Sequence, residues 1–183
     1  MPSVSVKITN KVVGTSLIIP FNHTEGLQYY PSGHPKEGQP VVYRINKYEM
    51  VVNVSEKYEV VRFGLQNNGK IVSSRTADAG LTAPRTVHPG WIPGYSPHSF
   101  QGGPYAGAWR ILPGQGFLIH EGANEVAGQI GGSLGCVEVL NGNWPDFLNT
   151  LKAVCGVDWS KIGALGLMDL TIEAGNYPTA TLV

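Results

Sequence analysis

Val4-Ser5-Val6-Lys7-Ile8-Thr9 sets apolar and polar residues in strict alternation. A period of two puts Val4, Val6 and Ile8 on one face and Ser5, Lys7 and Thr9 on the other, the pattern of a half-buried strand. Residues 40–45, 49–54, 58–63 and 71–74 continue in the same β-branched style, with turn-rich breaks between them. The chain's 24 glycines and 13 prolines supply those breaks and argue against a helical bundle. A helical period is clearest at residues 145–154, with Asn143 as cap, Phe147, Leu148, Leu151 and Val154 on one face, and Gly156 beyond the end. Residues 167–173 alternate again and are expected to close a sheet. The expectation is a mainly β chain of the β-rich α+β class, with one or two short helices near the C-terminus.

A length of 183 residues suits a single domain with a sizeable core, and 42% hydrophobic against 14% charged residues is ordinary for a globular protein. Thirteen basic residues balance thirteen acidic ones, so there is no electrostatic footprint for nucleic acid or an anionic membrane. Membrane insertion is not expected either, because no apolar run is long enough to span. Residues 12–21 are interrupted by Gly14, Thr15, Ser16 and Pro20 and lack a small-residue cleavage site, so no export signal is read there. Two cysteines do not make a disulfide framework.

The chemistry concentrates in Gly116-Phe117-Leu118-Ile119-His120-Glu121-Gly122 and Gly131-Gly132-Ser133-Leu134-Gly135-Cys136-Val137. One apolar stretch ends at His120 and another begins just after Cys136, so both side chains can meet at one sheet edge. A thiol is mostly protonated at neutral pH, and a neighbouring imidazole activates it as a nucleophile. Gly135 allows close backbone approach, and amides of the Ser-Leu-Gly-Cys turn are candidates for an oxyanion site. Cys155, within the apolar run Leu151, Val154 and Val157, reads as a core residue. Glu121 follows the base but points to the opposite face of a strand, so it receives no catalytic role.

Ile119-His120, the following loop and Ser133-Leu134-Gly135-Cys136 resemble the signature of the L,D-transpeptidase catalytic domain (YkuD-like), where a histidine precedes Ser/Thr-His-Gly-Cys. Pro104-Tyr105-Ala106-Gly107-Ala108-Trp109-Arg110-Ile111 resembles that family's Pro-x-x-Gly-x-aromatic-x-Ile stretch. Val60-Val61-Arg62-Phe63, the turn Asn67-Asn68-Gly69-Lys70 and Ile71-Val72 resemble its early hairpin. The likeness covers roughly residues 41–140. It implies one catalytic domain with a β-sandwich core at 41–140, preceded by an N-terminal strand and loop at 1–40 and followed by a helix and closing strand at 141–183. Two positions depart from the pattern. Leu134 stands in place of a second histidine, and Glu138 in place of Asn or Arg, where a carboxylate would repel an anionic peptide terminus.

The resemblance implies a peptidoglycan-active cysteine enzyme with no cofactor and no metal. Cys136 is then the nucleophile and His120 the base, Ser133 and Gly135 shape the turn, and a backbone carbonyl near Ser133 orients the imidazole. Trp109, Tyr105, Trp91 and Gly122 are the expected substrate-binding positions, with peptidoglycan stem peptides as the partner. Residues 82–104, rich in Pro and Gly, read as a long surface loop whose aromatics face substrate or cap the core; residues 29–40 read as a linker or a second loop. Without a signal, the chain is expected to be cytoplasmic in its producer and to act in a target periplasm after secretion, as type VI antibacterial effectors do. A cognate immunity protein and secretion-apparatus components would then be its partners. A papain-like amidase, a zinc-dependent amidase and a non-catalytic cell-wall-binding domain are the competing readings; His23, His34, His88 and His98 show no metal-binding spacing.

Overall fold

The computed structural model describes residues 1–22, 26–66, 69–72, 86–95, 103–114, 116–133, 135–175 and 177–183. The opening alternation forms the long strand β1 (Val4–Ile18), in which Val4, Val6 and Ile8 are fully buried. Next come β2 (Phe21–Asn22), β3 (Gly26–Leu27), β4 (Tyr43–Val52), β5 (Glu56–Val61), β6 (Gly64–Leu65), β7 (Ile71–Val72), β8 (Thr86–Val87), β9 (Gly90–Pro93), β10 (Gly107–Arg110), β11 (Leu118–Glu121) and β12 (Val137–Val139). Helices α1 (Trp144–Cys155) and α2 (Trp159–Ala164) precede β13 (Met168–Ile172) and β14 (Thr181–Leu182). The fold is β-rich α+β, with two short helices near the C-terminus.

Ten strands form one sheet in the order β8-β13-β1-β4-β5-β12-β11-β10-β9, with β14 added on β4. Only β1–β13 and β11–β12 run parallel among these pairs. The strands at the two ends of this order, β8 and β9, are separated in sequence only by His88 and Pro89. Three Cα steps span at most about 11 Å. The sheet must therefore curl until its ends approach one another, and a short tether fixes that closure.

Two expected elements are corrected. Residues 40–45 and 49–54 contribute to a single strand, β4, because Lys47, which interrupts the apolar pattern, bonds Glu59 and Glu125 instead of ending the strand. The strand ends at Asn53 and Val54, both with positive φ, and Val54 is 90% exposed. Residues 82–104 are not simply a surface loop, since Val87 is buried in β8 and β9 pairs with β10. Prolines at 89 and 93 are compatible with this because β9 is a sheet edge and needs fewer ladder donors. His98 and Phe100 lie outside the described residues, as do Asn67 and Asn68 of the expected turn, although β6 and β7 pair on either side of it.

Helix α1 buries Trp144, Phe147, Leu148, Leu151 and Cys155, and Gly156 ends it in the left-handed conformation with its N–H on the Lys152 carbonyl. Cys155 is 1% exposed and serves as a core residue. Asn143 occupies the cap position without a side-chain cap bond. Asp158 caps α2 by accepting from the Lys161 N–H. Arg62, also buried, lies over the mutually packed rings of Tyr48 and Phe63 and donates to the carbonyls of Thr9 (2.8 Å) and Glu173 (2.7 Å). A buried cation is tolerated when its donors are satisfied in this way. Among the described residues, no helix is long and apolar enough to cross a membrane.

Candidate active site

Strands β11 and β12 pair in parallel, with Ile119 opposite Val137, His120 opposite Glu138 and Glu121 opposite Val139. Cys136 immediately precedes β12, one register step back and beside Leu118. Side chains two apart on a strand share a face, so Cys136 and Glu138 lie on the face that carries His120. The connection that brings the cysteine back is firmly held. Asn124 caps a short turn at Glu125–Ala127, and the Glu125 carboxylate accepts from Lys47 at 3.0 Å. Gly131 accepts from the Ile19 N–H at 2.9 Å.

His120 is 2% exposed, and its Nδ1 lies 2.6 Å from the Glu121 carbonyl oxygen. A carbonyl can only accept, so Nδ1 carries the proton and Nε2 of the neutral ring is the basic nitrogen. The orienting carbonyl therefore belongs to Glu121, whereas the resemblance implied one at Ser133 or its neighbours. The Ser133 carbonyl instead accepts from the Leu65 N–H at 3.0 Å.

The turn before Cys136 is built by Ser133. Its Oγ accepts from the Gly135 N–H at 2.9 Å and donates to the Cys136 carbonyl at 3.0 Å. Gly135 adopts φ 110°, a conformation that a side chain would strain. These bonds support the turn-shaping roles of Ser133 and Gly135. They also correct the oxyanion expectation for Gly135, whose amide is already occupied. Gly64 packs so closely beneath the turn that a Cβ there would collide with the Ser133 carbonyl and the Gly135 nitrogen. Leu134 lies outside the described residues.

Cys136 is half-buried, and its thiol faces the Gly116 carbonyl at 3.8 Å. Burial pushes the thiol up to about 11, and the nearby Glu138 charge adds to the rise while a hydrogen bond from the Leu118 backbone opposes it. Cys136 therefore rests as a thiol, and a thiol in that state can act as a nucleophile only with a base beside it.

Glu138, which the sequence marks as a departure from the family pattern that would repel an anionic peptide terminus, is fully buried. Two glycines make room for it: a Cβ on Gly122 would stand 2.7 Å from Glu138 Cβ, and one on Gly131 would stand 2.8 Å from Oε2. Gly122, expected to bind substrate, is itself buried beside this side chain. The sequence signal was the two-residue spacing from Cys136, which puts the carboxylate on the face shared with Cys136 and His120.

The other three expected binding residues sit elsewhere. Trp109 is fully buried in the core, where it has no surface to offer a ligand. Trp91 packs against Trp109 (4.9 Å between ring centroids), Trp159 (5.6 Å) and Trp144 (6.5 Å). Tyr105 packs against Trp159 and accepts from Trp144 Nε1 through its carbonyl at 3.0 Å. These aromatics join the helices to the sheet. Among the described residues, no three His, Cys, Asp or Glu side chains are grouped to hold a metal. No protein-family model, curated protein or solved structure matches the chain.

Proposed function

We propose that this protein is a cysteine enzyme acting on peptidoglycan stem peptides through a thioester intermediate. The observation that carries the reading is the placement of His120 and Cys136 on one face of two paired strands, with His120 held in the tautomer that leaves Nε2 basic. The motif resemblance supplies the substrate class.

In the mechanism, His120 Nε2 takes the Cys136 proton as sulfur attacks the carbonyl carbon at a D-amino-acid or meso-diaminopimelate position. The carbonyl π electrons move to oxygen. When the tetrahedral intermediate collapses, the C–N bond breaks and the imidazolium protonates the leaving amine. Water then resolves the thioester in a carboxypeptidase or endopeptidase reaction, and an amine resolves it in cross-linking or exchange; either way the acyl group leaves sulfur and the thiol is restored.

Mass spectrometry of tetrapeptide and cross-linked muropeptides after incubation with wild type and with Cys136→Ala tests this reading. Loss of D-alanine, cleavage of a cross-link or terminal exchange, seen only with wild type, is the expected result and identifies the reaction. Unchanged substrates with wild type would overturn it.

The proposal extends to delivery: the protein is a secreted antibacterial toxin acting in a target periplasm and neutralised by a cognate immunity protein. Directing it to a bacterial periplasm should produce a growth defect that Cys136→Ala removes. A defect of equal size with both would overturn the toxin reading.

A further inference from the structure

Glu138 is a buried carboxylate to which the proposed mechanism gives no role. It is fully buried, paired in register with His120, on the face of Cys136, and enclosed where Gly122 and Gly131 have no side chains. A side chain at Gly131 would meet the carboxylate itself, and one at Gly122 would meet the Cβ that carries it. Burying a carboxylate carries a penalty unless the charge meets a compensating group, and here the group beside it becomes positive during the reaction.

We infer that Glu138 is a positioning carboxylate, held in the Gly122–Gly131 niche to stabilise the imidazolium that forms when His120 accepts the Cys136 proton. The Glu121 carbonyl fixes the ring's tautomer, and Glu138 supplies the counter-charge. The same charge opposes a standing thiolate, so it favours the sequence in which proton transfer accompanies attack. Among the described residues, the neighbouring groups do not duplicate it. On β10, register continuation puts uncharged Ala108 opposite His120 and exposed Arg110 opposite Leu118. On β11, Glu121 alternates to the other face. Beyond Glu138, β5 presents Val61 in register, and the Glu59 carboxylate is already bonded to Lys47 and Asn141. The inference rests on the catalytic reading only for its effect on turnover; the two titrations described next do not require a substrate.

The experiment compares wild type with Glu138→Gln by NMR titration of His120, assigned against His120→Ala, and by iodoacetamide alkylation of Cys136 at pH 8.5. Removing an adjacent opposite charge should lower the His120 midpoint by about one to two pH units. It should also raise alkylation about threefold to tenfold, since a thiol shift of one unit changes the thiolate fraction tenfold. Turnover of muropeptides should fall with KM little changed, and the acidic limb of the pH–rate profile should move to lower pH.

A merely structural role would leave the His120 midpoint where it is. An unchanged midpoint, or alkylation that stays level or falls, overturns the inference. Gly131→Ala, which crowds the carboxylate without removing it, should shift both titrations in the same direction by a smaller amount, and it supplies the deciding measurement if Glu138→Gln does not fold. Absence of muropeptide turnover in wild type would overturn the proposed function while the titrations still decide the role of Glu138.

Discussion

At Cys136, burial and Glu138 together hold the thiol at about 11, well above an ordinary cysteine. The thiolate is the reactive form, so alkylation should accelerate about tenfold per pH unit from neutrality and level off only above the thiol's own midpoint. Rates of iodoacetamide labelling between pH 7 and 11 check this; a plateau near pH 8.5 would contradict it. Cys155, at 1% exposure, should label only on unfolding. Replacing either Cys136 or His120 by Ala should abolish muropeptide turnover while leaving the circular dichroism close to wild type; the His120 variant also loses a buried ring and its hydrogen bond to the Glu121 carbonyl and should melt lower. Full turnover in either variant would remove the pair from the mechanism. These two residues were legible in the sequence because a histidine ending one apolar run and a cysteine starting another imply neighbouring strands. The two-residue spacing of Glu138 from Cys136 was legible too, but its burial was not, since a string of letters does not reveal that Gly122 and Gly131 leave room for that side chain.

At the scale of elements, the turn that presents Cys136 is locked by Ser133 from within and by β6 from below. Sequence alone showed the glycine and the serine of the turn. It could not show that the Leu65 amide and the bare Cα of Gly64 form its floor, because about seventy positions separate them. Gly64→Ala drives a methyl into the Ser133 carbonyl and the Gly135 nitrogen, both backbone atoms that cannot rotate aside. The turn must lift, and Cys136 moves with it. A displacement near 1 Å at a reacting atom costs about a hundredfold in rate. Steady-state kinetics should show that loss in kcat for Gly64→Ala, whereas Gly33→Ala, where a Cβ meets nothing but carries its own φ 84° strain, should leave turnover unchanged. The helix α1 was readable from its period of 3.6 and its terminal Gly156, both of which are local signals. The strands β8 and β9 were hidden because each is short, proline-flanked and stabilised only by partners distant in sequence.

For the molecule as a whole, stability depends on keeping a curled sheet closed, and α2 bears directly on that closure. Gly163 in α2 lies against the edge strand β9, where a Cβ would stand 2.6 Å from the Trp91 nitrogen and 3.1 Å from its Cβ. Helix propensity alone predicts that Gly163→Ala stabilises the protein, by about 1 kcal/mol in a helix interior. Packing predicts the reverse, because overfilling a tight contact costs about 1–3 kcal/mol. The obstructing atom decides between them: it belongs to the backbone of a paired strand, and Trp91 is itself wedged among Trp109, Trp144 and Trp159, so neither partner can yield cheaply. Gly163→Ala should therefore be destabilising by about 1–2 kcal/mol net, read as a lower denaturant midpoint with an unchanged m-value. A rise in the midpoint would mean that α2 can slide off β9 without loss, and that the two-residue tether at His88 and Pro89 holds the sheet curled without help from the tryptophan cluster.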